Sequence, residues 1–365
     1  TAFLAAVAGC ILGKPLEFNP TLADIRAAAE AEGDWPIRDY ISEAMLERMG
    51  RSPDGHPGTT RSRITHVVPD DDINYTILGM WVLEGHGLDF TRDELMGLWL
   101  RNLPPAMTFG PERTVLTKAA MHSRGGRPDA PWDLWTGTLN PGCELCGATI
   151  RADAYGYACP GRPERAAELA RRDATMTHRR TGVYGAMFVA AAIATAFVAR
   201  DRLEIFRTAL RYVPRRSRFH EIAADCLGIV EAAGDWLEAY ERMHARYGHY
   251  EHCKVYQEVG MLMNAGRFSE DIGDGLCKAV SQGADTDCFG EIIGSILGAH
   301  LGPDVLETFL RRLHQEPEEG EPRSHHFRGL EGHLGLSLRP GDLELPGMSG
   351  AIQRLFGPRE ESRDD

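Results

Sequence analysis

The chain has 365 residues, 43% of them apolar, enough for a substantial core, and its formal net charge of -13 argues against nucleic acid or an anionic membrane surface as a partner, since both select basic patches. Its eight cysteines, at 10, 143, 146, 159, 226, 253, 277 and 288, are scattered through a chain too long to need disulfide staples, so a reducing cytoplasm is the expected setting. No window reaches the roughly 20 uninterrupted apolar residues of a membrane span.

Apolar residues recur at three- and four-residue spacing over 2–13, 21–32, 73–85, 91–100, 163–173, 181–199, 202–211, 218–232, 255–265, 270–281 and 288–300, and almost nothing alternates as a strand would. An all-α fold is predicted. The opening TAFLAAVAGC mimics a lipobox ending at Cys10, but no Lys or Arg precedes it and the apolar run is short, so it reads as a helix. Residues 101–162, rich in Pro and Gly with isolated Trp, read as long loops with short helices over one face of the bundle. Within them, Cys143-Glu-Leu-Cys146 has metal-knuckle spacing, but no second CxxC or HxxxH follows, so buried or idle thiols are expected. The stretch 181–199 is apolar nearly all round and should be central. A single helical domain is expected over 1–314, followed by a polar, Pro/Gly-rich tail over 315–365 that is peripheral or partly disordered.

Glycines recur in steps of four at 290, 294, 298 and 302, and Ala5, Gly9 and Gly13 do the same near the start. Glycine inside a helix costs about 1 kcal/mol against alanine, so such a row calls for a reason. Close approach of two helix backbones supplies one, and it would bring together whatever precedes each helix.

What precedes 73–85 is Asp70-Asp71-Asp72, and what precedes the glycine-rich helix is GADTDC, with Asp285 and Asp287. Capping of helix N-termini explains one Asp per helix. Five are harder to explain, because adjacent carboxylates repel, whereas a pair of hard cations such as Mg²⁺, or alternatively Mn²⁺, would neutralise them all. Glu17 follows a helix that Pro15 should end and would project from its terminus.

Together these stretches resemble the ADP-ribosylglycohydrolase family, which includes the enzyme that reactivates dinitrogenase reductase. GCILGKPLE keeps Gly9, Gly13 and Glu17 of a GDxxGxxxE-type opening; DDDI at 70–73 matches a TDDT-type motif; GADTDC at 283–288 matches GGDTDT. ATIRADAYG is similar to an MRxxPxG-type segment, and ATMTH, ending at His178, to a segment ahead of a long apolar helix. The resemblance spans about 1–302, and the ordered set is more specific than any one motif. Three positions depart from it: Cys10 stands for an Asp, Asp70 for a Thr, and Cys288 for a Thr at the last ligand position, where sulfur suits Mg²⁺ poorly.

The resemblance implies a compact orthogonal helix bundle and hydrolysis of the N- or O-glycosidic bond joining ADP-ribose to a protein side chain or small group. It implies two Mg²⁺ held by Asp71, Asp72, Asp285 and Asp287, with Asp70 and Cys288 at the substituted positions. Glu17 would be the acid/base or water-positioning carboxylate, with Asp72 beside it, since nearby carboxylates stabilise oxocarbenium-like charge. His178, Arg151 and Tyr155 would contact substrate. A lone His is more often structural, however, and Arg151 equally suits a buried carboxylate. Tyr155 and Phe109 are candidate stacking surfaces for a base, with packing the alternative. The expected partner is an ADP-ribosylated protein or a small ribosylated molecule, with neither nucleic acid nor membrane involved. An N-ribosyl hydrolase of a nucleoside-like metabolite, or a nonenzymatic ADP-ribose-binding relative, are the alternatives. DDDIN also resembles the diphosphate-binding motif of terpene and prenyl synthases, but their second motif is missing.

Overall fold

The computed structural model describes residues 1–302 apart from 19, 65–66, 123–129 and 251. The expected tail at 315–365, and the domain boundary at 314, lie outside the described residues. Within them the chain is helical throughout: α1 (Ala2–Gly13), α2 (Leu22–Glu32), α3 (Glu43–Arg48), α4 (Asp71–His86), α5 (Arg92–Asn102), α6 (Gly110–His122), α7 (Trp132–Gly137) and α8 (Asp153–Tyr157). There follow α9 (Pro163–Ala174), α10 (Arg180–Ala196), α11 (Arg202–Ala209), α12 (Arg218–Ala232), α13 (Trp236–Tyr247), α14 (Val255–Phe268), α15 (Ile272–Ser281) and α16 (Thr286–Leu301). The only extended pairing among the described residues is an isolated bridge between Thr21 and Gly283. No described helix is long and apolar enough to cross a membrane.

Local chemistry sets the helix starts. Thr21 and Thr91 open α2 and α5 with reciprocal capping boxes through Asp24 and Glu94. Ser217 and Asp235 cap α12 and α13. Helix α10 carries no charge after Arg180 and is buried from Val189 to Ala196, which puts it at the centre, against α8, α9, α11 and α16. The segment 101–162 departs from its reading as a covering of loops. Helix α6 runs for 13 residues, and the 3-10 turn Cys146–Arg151 together with α8 is buried against α4 and α10. Polar residues such as Thr149 and Arg151 enter the core there because each finds a partner.

The two glycine rows form one antiparallel seam between α1 and α16. Gly9 meets Gly290, Ala5 meets Gly294, and Ala2 meets Gly298. A β-carbon on Gly9 would lie 1.9 Å from the Gly290 carbonyl oxygen, and one on Gly290 would lie 2.4 Å from that of Gly9. No side chain fits between such backbones. The seam is locked where the site begins, by the Thr286 hydroxyl donating to the Gly13 carbonyl at 2.8 Å.

Candidate functional site

Because α1 ends where α16 begins, Glu17 and the aspartates of α16 are brought to one place. After Gly13 a single 3-10 turn, Lys14–Leu16, carries the chain to Glu17. Arg51 clamps the next stretch, donating to the Glu17 carbonyl at 2.6 Å and the Phe18 carbonyl at 2.8 Å. On the opposite side, Gly283 and Ala284 both have positive φ, 80° and 62°, and turn the chain so that Asp285 enters the cluster. Gly283 is obligatory there, since an added β-carbon would lie 2.0 Å from the Pro20 carbonyl oxygen.

The aspartates divide into one that caps and several that do not. Asp70 is the N-cap of α4 and accepts the Asp72 N–H at 3.2 Å. Asp285 is the N-cap residue of α16, but its side chain makes no capping bond. Asp72 and Asp287 are 3% and 2% exposed, and in each the Oδ1 atom is buried without a hydrogen-bond partner. Asp71, Asp72, Asp285, Asp287 and Glu17 therefore face one another with few donors between them.

Lys14 is the one cation among them, and nothing in its local sequence marks it. Its ammonium lies 2.7 Å from Asp70, 2.8 Å from Asp287 and 2.9 Å from Glu17. Burial opposes its charge, but Asp287, Asp70 and Glu17 outweigh that and hold it protonated. Asp70 is likewise held below the usual carboxylate range, the pull of Lys14 overcoming burial. The other carboxyls go the opposite way. Burial, then repulsion from Asp287, pushes Glu17 up to about 8 and Asp285 up to about 7. Burial also raises Asp71 and Asp72, with Asp70 adding to the first and Asp287 to the second. One ammonium does not balance this charge, and unpartnered buried carboxylate oxygens are the donor set a hard divalent cation takes. The residues fit such an ion.

A second ring of acidic residues stands behind, also unforeseen. Glu291, one turn beyond Asp287 on α16, and Asp153 on α8 are both buried; burial raises Glu291 well above its usual range and pushes Asp153 up to about 7. Neither side chain makes a well-formed hydrogen bond, although the Ser295 and Thr76 hydroxyls stand nearby and ease their charge somewhat. On the other flank, Cys288 is buried beside Thr149, 3.8 Å from its hydroxyl, while Cys146 and Cys253 both point at Asp285. A short sequence motif cannot reveal Cys253, which comes from the turn before α14.

Arg151, Tyr155 and His178 form a separate interior network. Arg151 is 1% exposed; its Nε donates to Asp173, and its two Nη groups to Glu112 and Thr177. Trp99 lies against the guanidinium, 5.0 Å from ring centroid to carbon. Tyr155 donates to Asp173 at 2.6 Å, and Thr177 shares a 2.8 Å hydrogen bond with His178 Nδ1. Burial and Arg151 keep the imidazole neutral, and its Nε2 atom makes no hydrogen bond. The buried-carboxylate alternative for Arg151 thus matches its surroundings, and Tyr155, fully buried, has no free face for a base. Phe109 is exposed, with Arg113 over its ring at 5.1 Å. A further exposed aromatic, Phe18, directly follows Glu17 and stands between His56 and His252.

No curated protein matches the chain. Among solved structures, an ADP-ribosylglycohydrolase-related protein complex is similar at 18% identity, with a TM-score of 0.56, covering 86% of this chain and 90% of that one. That likeness speaks for the fold alone. The model of the family described as ADP-ribosylglycohydrolase matches residues 1–331, and with the α1–α16 seam, the aspartates it assembles and this match over most of its length, the chain belongs to the ADP-ribosylglycohydrolase family.

Proposed function

We propose that the protein is a divalent-cation-dependent hydrolase of the ribosyl C–N or C–O bond in an ADP-ribosylated side chain or ADP-ribosyl compound. Family membership supports a glycohydrolase of ADP-ribose-related substrates. The observation that carries the finer reading is the pair of buried, unpartnered oxygens, Asp72 Oδ1 and Asp287 Oδ1, at the heads of two helices held together by backbone contact.

Asp71, Asp72 and Asp287 would hold a hard cation, Mg²⁺ or Mn²⁺, which when bound orients ribose hydroxyls and a water. The remaining carboxylates stabilise positive charge as it builds on the sugar carbon. Glu17, part-buried at the mouth of the cluster, has its proton affinity raised by burial. That suits it to donate a proton to the leaving group, or to position the attacking water and take its proton. Lys14 offsets the charge that Asp70 adds at the former threonine position and tethers Glu17 to Asp287. Arg151, Tyr155 and His178 act as framework, fixing the Cys146–Arg151 turn against α4. Phe18 supplies an aromatic face beside Glu17 for a base.

Calorimetric titration of Mg²⁺ and Mn²⁺ into chelator-stripped protein, repeated with ADP-ribose, tests this reading. Cation uptake, with ADP-ribose binding that depends on it, is expected, together with release of ADP-ribose from an ADP-ribosylated arginine or serine substrate. Cation uptake without ADP-ribose binding would move the substrate to small ribosides. No cation uptake would leave a nonenzymatic relative.

A further inference from the structure

The CxxC spacing at 143–146 does not act as a pair. The Cys143 carbonyl accepts the Arg179 N–H at 2.7 Å, while Cys146 turns inward and is 8% exposed. Cys146 meets a thiol from a distant part of the chain. The sulfurs of Cys146 and Cys253 lie 3.0 Å and 3.4 Å from the same oxygen, Asp285 Oδ2, and the three ligand atoms all lie within 4.8 Å of one another. Glu258, fully buried one turn into α14, adds a second observation. Its Oε1 accepts the Cys253 N–H at 2.9 Å, and its Oε2 is buried without a hydrogen bond. Two thiol protons directed at one oxygen of Asp285 leave that Glu258 oxygen unserved, and two buried carboxylates side by side repel. A dication bound through sulfur would settle both.

We propose that Cys146, Cys253 and Asp285 form a binding site for a zinc-class cation, two sulfur ligands and one oxygen ligand, with Glu258 and Cys288 beside the fourth position. Sulfur ligands select a borderline-soft ion over Mg²⁺ or Mn²⁺. Each thiol gives up its proton to solvent as its bond to the metal forms, and Asp285 gives up whatever proton burial makes it hold, so at least two protons leave per ion bound, with no change of oxidation state. Asp285 also belongs to the Glu17, Asp285 and Asp287 group, so the soft site would adjoin the hard one. Of the three altered motif positions, Cys288 then lies on the sulfur side, beside Cys146.

The test uses the full chain, reduced and chelator-stripped, titrated with Co²⁺ as a spectroscopic stand-in for Zn²⁺. The expected result is a near-ultraviolet sulfur-to-cobalt charge-transfer band, removed by Zn²⁺ but not by excess Mg²⁺, with at least two protons released in weakly buffered solution. Cys253→Ser and Cys146→Ser should each lose about half of the band per bound cobalt, one of the two sulfur bonds, and at least about tenfold in Zn²⁺ affinity, taking the cost of losing an outer partner as the floor. Cys143→Ser should change neither. Should the Cys146 variant fail to fold, alkylation of the unmodified chain decides: Zn²⁺ should shield Cys253 and leave Cys143 reactive. Cobalt uptake without the charge-transfer band, a band undiminished by Cys253→Ser, or Cys253 alkylation unaffected by Zn²⁺ would overturn the proposal. None of these readouts uses turnover, so the hydrolase reading can fail while this one stands.

Discussion

Two buried clusters of carboxylates lie in this molecule, and they are built on opposite rules. Around Arg151, two carboxylates, Glu112 and Asp173, share one guanidinium and the hydroxyls of Tyr155 and Thr177, so most of the charge is met by a fixed donor. At the heads of α4 and α16, Asp70, Asp71, Asp72, Asp285, Asp287 and Glu17 face one ammonium, from Lys14. The first cluster is complete as it stands and holds the fold. The second has unmet charge, which is the property a cation-dependent site requires. Removing a group should therefore do opposite things in the two places.

The largest effect expected is on turnover. Asp72→Asn or Asp287→Asn should lower kcat/KM by about a hundred- to a thousandfold or more, as loss of direct transition-state stabilisation does. Because Asp72→Asn also removes a repelling charge, that variant should melt no lower than the parent without metal, whereas Asp287→Asn also gives up the ion pair with Lys14. Retained activity in either would end the comparison. In the other cluster, Arg151→Met strands Glu112 and Asp173 and should cost about 3–5 kcal/mol, seen as a lower denaturant midpoint. A near-neutral result there would mean that the network is less tightly held than its hydrogen bonds suggest.

Lys14→Met sharpens the contrast, because its two consequences have opposite signs. The metal-free protein should lose stability, while affinity for a divalent cation should rise on the order of tenfold as a competing positive charge disappears. Calorimetry and thermal unfolding of the same preparation would report both. The pH dependence of the chelator-treated protein follows from the raised carboxyls. Glu17, at about 8, and Asp285, at about 7, hold protons in the folded state that the unfolded chain releases near pH 4. Their contribution is therefore fully present below about pH 4 and is lost as pH rises through 7 to 8. The melting temperature without metal should fall over that window, and Mn²⁺ should flatten the fall. The smallest effect expected is at Ala284, whose φ of 62° a glycine adopts freely; Ala284→Gly should stabilise the protein by up to about 1 kcal/mol.

Much of this was legible from residue order, for identifiable reasons. Long stretches whose apolar residues all reach the core, such as α10 and α16, show their period plainly. Helix α13 did not, because only Ala239, Tyr240 and Met243 of its twelve residues are buried. The glycine rows announced a close helix pair, since three glycines inside one helix call for a neighbouring backbone, although the fourth, Gly302, is the C-cap of α16 and lies outside the seam. Aspartate runs were conspicuous for the same kind of reason. Lys14, Cys253, Glu258 and Asp153 were not, because each is ordinary in its local sequence and is given its role by residues far along the chain. The linkage of Lys14 to Asp287 spans 273 positions, and no local pattern reports it.

That same span has a consequence for how the protein is made. Helix α1 is apolar on nearly every side, and the partner that covers its glycine face is Thr286–Leu301. The Thr286 hydroxyl bond to Gly13 joins positions 273 apart, so at synthesis rates of about 5–20 residues per second α1 waits roughly 15 to 55 seconds after emerging before that partner exists. Throughout that interval the nascent chain exposes a bare, sticky helix and has no assembled acid cluster. The site comes into being only when the last described helix is threaded against the first, so a ribosome stalled before Thr286 would leave a chain that invites chaperone capture and lacks the carboxylates of α16.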